Sequence, residues 1–325
     1  MLQSLPLILF IVMTEVSVGS VAVLVFLDWR NEVKLGFLRS YALIYLGLVG
    51  LTYLFQQSFA SSDLLNTYTH LDHAWTGYQS LPLLLFFLLL IPYSLFLILD
   101  RNAGIDGKER AEKARAEGQE VRTPVLRILR LISGVATVLA ALATLFVMAM
   151  IFHNLVGGAL GGIATVLGFF AAAFALGGVM TAMWLGHWYL VTPALSEKPL
   201  LFSTTIVLLA IVAQIIFALV AGPVSSPATS STPSSSAITT STPAPTPSPA
   251  QVKPKGAPVV TPLSVNTIGL IRILVSFIMP LVLGALAWKL VRDRSFQSAT
   301  GMLYLVVVLT LAGESMARGL FLAGL

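Results

Sequence analysis

Cysteine is absent and charge is scarce: Asp, Glu, Lys and Arg together make up 10% of the 325 residues. Without a thiolate the chain cannot ligate an iron–sulfur cluster, attach a c-type haem or form a disulfide, so a redox centre of those kinds has to sit in a partner. A soluble domain carries roughly a quarter charged residues. Histidine is rare as well, with four in all: His70, His73, His153 and His187. What takes the place of charge is apolar, 57% of the residues, with a mean hydropathy of +0.89.

That apolar content is gathered into eight runs, approximately 4–28, 36–58, 79–99, 125–152, 159–191, 199–221, 264–290 and 297–322. Crossing the hydrocarbon takes about 20 apolar residues in a helix. The runs are continuous rather than alternating, which excludes a transmembrane barrel. The fold class expected is all-α, a polytopic membrane helix bundle of about eight transmembrane helices.

Lys and Arg set the orientation. They gather after the first span (Arg30, Lys34, Arg39) and after the third (Arg101, Lys108, Arg110, Lys113, Arg115, Arg122), with Arg127 and Arg130 opening the fourth. Lys198 follows the fifth span, and Lys289, Arg292 and Arg294 follow the seventh; the other loops offer only Lys253 and Lys255. The basic loops are therefore expected in the cytoplasm and both termini outside, in a cell inner (plasma) membrane. The net charge of +5 belongs to these loops, so the partner it implies is membrane lipid and not nucleic acid. The start, Met1-Leu2-Gln3-Ser4, lacks the basic region of a signal peptide, and Asp28-Trp29-Arg30 reads as a stop-transfer flank.

Two connections divide the chain. A charged cytoplasmic loop, 100–123, interrupts a six-helix unit, 1–222; its Lys108–Glu117 stretch has opposite charges three and four apart, which favours a short solvated helix acting as a spacer. Residues 223–263 are Ser, Thr, Pro and Ala for the most part, too polar to bury a core, and are expected to be a disordered extracytoplasmic linker. A two-helix unit, 264–325, follows. No repeat relates the halves, so an inverted-repeat transporter has no support. Small residues stud the fifth span and its approach, Gly157, Gly158, Gly161, Gly162, Gly168, Ala171 to Ala173, Gly177 and Gly178. Close helix packing is the first reading of them and a ligand cavity the second.

Ionisable residues inside a membrane are costly and mark function by default. Glu15 lies about eleven residues into the first span, near the midplane, with no Lys or Arg within reach on its own helix. Burial makes it a candidate proton carrier. Glu314 and Arg318 are four apart on the last span and share a face, as an internal clamp or as part of a site. Arg272 and His153 lie near outer helix ends, where an arginine snorkels and a histidine meets the interface. His70, Asp72 and His73 sit in an outer loop, which solvation alone explains. His187, with Trp184, Trp188 and Tyr189, reads as an aromatic belt at the inner face.

Chemistry narrows the choices. His153 and His187 lie toward opposite faces and cannot share a haem, and His70 and His73 are in a loop, so a b-type haem is poorly served. A His70/Asp72/His73 trio is too short a pattern to argue a metal site. No phosphate loop, nucleotide fingerprint or Ser-His-Asp pattern emerges. A quinone needs an apolar slot, a donor for its carbonyl oxygen and a carboxylate for its proton. Glu15 and Glu314 would handle protons, and His70, Asp72, His73, His153, Arg272 and Arg318 would contact or tune the ligand.

At Met13-Thr14-Glu15-Val16-Ser17-Val18-Gly19, at His70-Leu71-Asp72-His73-Ala74-Trp75 and at Gly313-Glu314-Ser315-Met316-Ala317-Arg318-Gly319-Leu320-Phe321, the chain resembles the NrfD/DmsC-like group. These are membrane-anchor subunits of polysulfide reductase, dimethyl sulfoxide reductase and related molybdopterin oxidoreductases. The resemblance covers nearly the whole chain except the Ser/Thr/Pro insertion, which departs from the pattern, as does the inner His-Trp-Tyr motif. It implies a subunit without a metal centre of its own that binds quinol near the outer face through Glu15, His70, Asp72 and His73. It also implies an extracytoplasmic iron–sulfur subunit and a catalytic subunit as partners. The competing readings are a transporter for a small solute or lipid and a non-enzymatic membrane scaffold or assembly protein.

Overall fold

A computed structural model describes residues 5–117, 125–157, 159–192, 195–221, 270–271 and 273–322. Arg272, most of the 223–263 segment's surroundings and that segment itself lie outside the described residues. Among them every regular element is helical, and eight helices are long and apolar enough to cross a membrane.

We label these α1 (Leu5–Arg30), α2 (Leu35–Phe59), α3 (Ser80–Leu99), α4 (Val125–Phe152), α5 (Ala159–Val191), α6 (Lys198–Ala221), α7 (Met279–Arg292) and α8 (Phe296–Phe321). The sequence bounds hold to within two residues except at α7, which begins at Met279 behind a π-helical turn, Leu274–Ile278. The protein is a multi-pass membrane helix bundle.

The most buried of the eight is α1, enclosed by α2, α4, α5 and α8. Lipid tails are as apolar as Leu, so burial of apolar surface drives little helix association inside a bilayer, and close backbone packing has to supply it. Gly19 of α1 meets Ala173 and Gly177 of α5 at the tightest of these crossings. A Cβ on Gly19 would overlap the Ala173 carbonyl, and one on Gly177 would overlap the Gly19 backbone. The crossing holds α1 in the middle of the bundle and fixes the height of Glu15 against α5.

The last two helices pack onto the earlier ones: α8 lies against α5 and α1, and α7 against α6. The Trp288 indole on α7 donates to Thr205 Oγ1 on α6 at 3.1 Å. At the basic end, Arg294 reaches Glu197 at 2.6 Å, tying the α7–α8 turn to the start of α6.

The 100–123 loop departs from a simple spacer. Its charged helix, Gly104–Ala116, is exposed over most of its length, but its first turn is docked. Ile105 N–H donates to the Val33 carbonyl at 2.9 Å, and Leu35 N–H donates to Asp106 Oδ2 at 3.3 Å. Gly104 makes this approach with φ +69°, a left-handed conformation that glycine adopts without steric cost.

Candidate functional site

Two buried charge clusters occupy the bundle, and both use a carboxylate of α1. In the first, Arg318 of α8 donates to Glu15 Oε1, joining the last membrane helix to the first. Its Nε lies 2.9 Å from Glu314 Oε1, one turn back on α8. Gln214 of α6 donates to the other oxygen, Glu314 Oε2, at 3.1 Å. The guanidinium rests on the Phe169 ring, 3.8 Å from its centroid, with Phe321 5.9 Å away. Glu15 is fully buried, while Glu314 and Arg318 are 11% and 9% exposed at their side chains. Among the described residues two carboxylates face one guanidinium, so with both ionised these three groups hold one negative charge in excess. An uncompensated buried charge is costly, and a proton or another cation is what offsets it.

Glu314, Arg318 and Gln214 line a cavity of about 450 Å³ bounded by α5, α6, the π-helical turn and α8. The remaining wall is largely apolar, with Phe217, Phe277 and Phe321 prominent. Leu219 and Ile273, both on its rim, are exposed apolar side chains, so the cavity opens on the apolar outer surface of the bundle. The π-helical turn puts Ser276 on this wall with its Oγ buried and without a hydrogen-bond partner among the described residues. Turns of this kind occur often at functional sites, because the extra residue re-aims a side chain.

The outer-loop residues form a separate arrangement. Asp72 caps the short helix His73–Thr76 by accepting from Ala74 N–H at 3.1 Å, and its own N–H donates to the Ile151 carbonyl at 3.1 Å. That places it 4.0 Å from His153 Nδ1, which itself lies 2.6 Å from the Met150 carbonyl. His73 Nε2 sits 2.9 Å from the Tyr68 carbonyl, and His70 is exposed. His153 lines a cavity of about 530 Å³ with Asn154 and Gly162, and Val156 lines both this cavity and the one at Glu314. The structure therefore brings Glu15, Glu314 and Arg318 into one site and Asp72 and His153 into a neighbouring one. Among the described residues no hydrogen bond or ion pair joins the His70 or His73 side chain to either cluster, and Arg272 lies outside those residues.

The small residues of α5 and its approach divide between packing and cavity walls. The later ones, Ala173 and Gly177, pack against Gly19, while Gly162 and Gly168 face cavities.

The sequence reading left out one residue of the site and the pairing of two others. Gln214 is the lone amide in its span, a signal that was there to read. Asp28 and Arg130 stand near the ends of their helices, as the sequence has them, and the structure adds that both are fully buried. Arg130 of α4 reaches Asp28 Oδ2 at 3.1 Å and Asp100 Oδ2 at 2.6 Å, and the Tyr93 hydroxyl donates to Asp28 Oδ2 at 3.3 Å.

Comparison with protein-family models, with curated proteins and with solved structures finds no match to this chain.

Proposed function

We propose that the chain is a quinone/quinol-interacting integral membrane subunit of a respiratory oxidoreductase, of the NrfD/DmsC-like kind, with the ligand held in the Glu314–Arg318–Gln214 cavity. One observation carries this reading: a cavity whose mouth is rimmed by exposed apolar side chains ends at a carboxylate, a guanidinium and an amide. That gradient suits a ligand with a polar ring and an apolar tail that enters from the bilayer. A volume of about 450 Å³ accommodates a quinone ring and its first tail units.

The residues present fit the two forms of the ligand. Arg318, Gln214 and the Ser276 hydroxyl are donors for a quinone carbonyl oxygen. The Glu314 carboxylate accepts from a quinol hydroxyl and takes its proton, and the excess negative charge it shares with Glu15 gives that proton a place to stay. Electrons have to leave to a centre in a partner, since the chain has no cysteine to hold an iron–sulfur cluster.

Equilibrium binding of a short-chain quinol analogue to the purified chain in detergent tests this. Glu314→Gln should weaken binding at least about tenfold, equivalent to about 1.4 kcal/mol. Ala317→Trp, which fills the cavity between Glu314 and Arg318, should abolish it. Binding unchanged in both variants rejects the reading.

The excess carboxylate also favours a second reading, a proton-coupled transporter of a small amphipathic solute. It differs in requiring no partner: solute flux into liposomes that hold only this chain would establish it.

A further inference from the structure

From the basic end of the bundle, α1, α4, α5 and α6 leave a groove of about 350 Å³ between them. Its wall is apolar and aromatic throughout, from Ala22, Phe26 and Trp29 of α1 to Phe202 and Ile206 of α6. Trp29 and, on α4, Val135 and Leu139 are exposed at its mouth, so it opens on the apolar outer surface of the bundle. It stands apart from the Glu314–Arg318 cavity, because Phe202 precedes Gln214 on α6 by about 18 Å at 1.5 Å per residue. No side chain on its wall carries a carboxylate, guanidinium, hydroxyl or amide to orient a polar ring. What fits is a hydrocarbon chain, laid along α1 from Ala22 to Trp29 over about 10 Å.

Cations stand where this groove meets the water. The Phe26 and Phe202 rings stack at 4.5 Å, and the Arg30 guanidinium lies over both, 5.8 and 5.5 Å from their centroids. Glu32 takes Arg30 Nε and Nη2 at 3.1 and 2.7 Å, which leaves the rest of the guanidinium's donors free for a second anion. Lys198, exposed, heads the face of α6 on which Phe202 and Ile206 follow at helical spacing. Trp29 adds an exposed indole at the same end, and such rings settle at headgroup depth. The charge here does not cancel. In the inner cluster Arg127 and Arg130 stand against Asp28 and Asp100, and Arg30 is matched by Glu32. Glu197, however, faces both Arg294 and Lys198. Among the described residues these groups leave one positive charge, at the exposed Lys198.

We propose that this groove binds an anionic glycerophospholipid, with one acyl chain along Ala22–Trp29 and the phosphodiester on Arg30 and Lys198. The phosphodiester brings the single negative charge that this end of the bundle lacks. A zwitterionic lipid offers the same tail and phosphate, but sets its own cation beside Arg30 and Lys198 and loses the advantage. Basic residues near a membrane surface draw anionic lipid about fivefold more strongly for each Lys or Arg. The inference does not depend on the ligand of the Glu314–Arg318 cavity, since the two sites share no residue.

Native mass spectrometry of the intact protein in detergent tests it, with phosphatidylglycerol and phosphatidylcholine of identical chains supplied at equal concentration. The wild type should retain phosphatidylglycerol at least about tenfold over phosphatidylcholine. Arg30→Gln and Lys198→Gln should each lower phosphatidylglycerol retention about fivefold. Ala22→Phe, which fills the groove, should lower it at least about tenfold. The two charge substitutions alter side chains that reach solvent, so they decide the matter if Ala22→Phe fails to fold. Equal retention of the two lipids by the wild type overturns the proposal. Phosphatidylglycerol retention unchanged in Arg30→Gln and Lys198→Gln, or in a folded Ala22→Phe, overturns it as well, because the lipid then sits elsewhere. Displacement of the lipid by millimolar inorganic phosphate would show an anion site that makes no use of the groove, and overturns it equally.

Discussion

Arg318 holds Glu15 across 303 positions of sequence, so the last membrane helix is pinned to the most buried one by an ion pair that excludes water on the Glu15 side. The pair fixes where α8 sits, and through Glu314 it fixes one wall of the cavity.

Removing the guanidinium therefore leaves two facing carboxylates without a countercharge. Arg318→Met should cost about 3–5 kcal/mol, the usual loss when one partner of a buried pair is deleted. Arg318→Lys should recover only part of this, because an ammonium cannot serve both carboxylates while lying flat on Phe169. Thermal unfolding in detergent measures both, and a loss below about 1 kcal/mol for Arg318→Met would show that the pair holds nothing in place.

The inner cluster allows a sharper contrast. Arg130 and Arg127 are a turn apart on α4, but Arg130 is fully buried between two aspartates and Arg127 is partly exposed. Arg130→Gln should destabilise by about 3–5 kcal/mol, and Arg127→Gln by less than about 0.5 kcal/mol, as for most surface changes. Equal effects in the same unfolding assay would contradict the burial assigned to Arg130.

Glycine substitutions test the packing. Gly19→Ala puts a methyl on the Ala173 carbonyl, backbone against backbone, and should cost at least about 1–3 kcal/mol. A Cβ at Gly47, on the exposed face of α2, meets nothing within 4 Å, so Gly47→Ala should be neutral or stabilising by up to about 1 kcal/mol. Yields of monodisperse protein and melting temperatures for the two variants should diverge accordingly.

One contact outside the spans titrates. The backbone amide of Glu197 and the Arg294 guanidinium hold the Glu197 carboxyl below the usual carboxylate range. A depressed folded-state value means the stabilisation is complete above the ordinary carboxylate pKa and is lost as pH falls through the lower folded-state value. Glu197→Gln should therefore lower the melting temperature at neutral pH and match the wild type once both are strongly acidified. A difference that persists unchanged in acid would show that Glu197 acts through packing alone.

Much of this fold was legible because the signal is coarse. Continuous apolar runs set off by charge gave α4 and α5 their bounds, 125–152 and 159–191, as they stand in the structure. The site was legible in halves. Glu15 stood out as a lone carboxylate, and Glu314 with Arg318 as a pair at helical spacing, but nothing in the sequence joins residues 303 apart. The burial of Asp28 and Arg130 was not legible, for a physical reason. Charges at the ends of apolar runs mark the water interface in most membrane helices, and only packing against a third residue, here Asp100, shows that a given one turns inward. The π-helical turn that aims Ser276 at the cavity has no sequence signature, since it depends on which carbonyl each amide finds.

The claim that a quinone-type ligand occupies the Glu314–Arg318 cavity is tested most directly by photolabelling the intact protein in lipid with a photoreactive quinone and mapping the labelled residues. The account predicts saturable labelling concentrated on α6, the Leu274–Ile278 turn and α8, competed by unlabelled quinol and lost in Ala317→Trp. Labelling spread evenly over the apolar outer surface, indifferent to competitor and to that substitution, would contradict it.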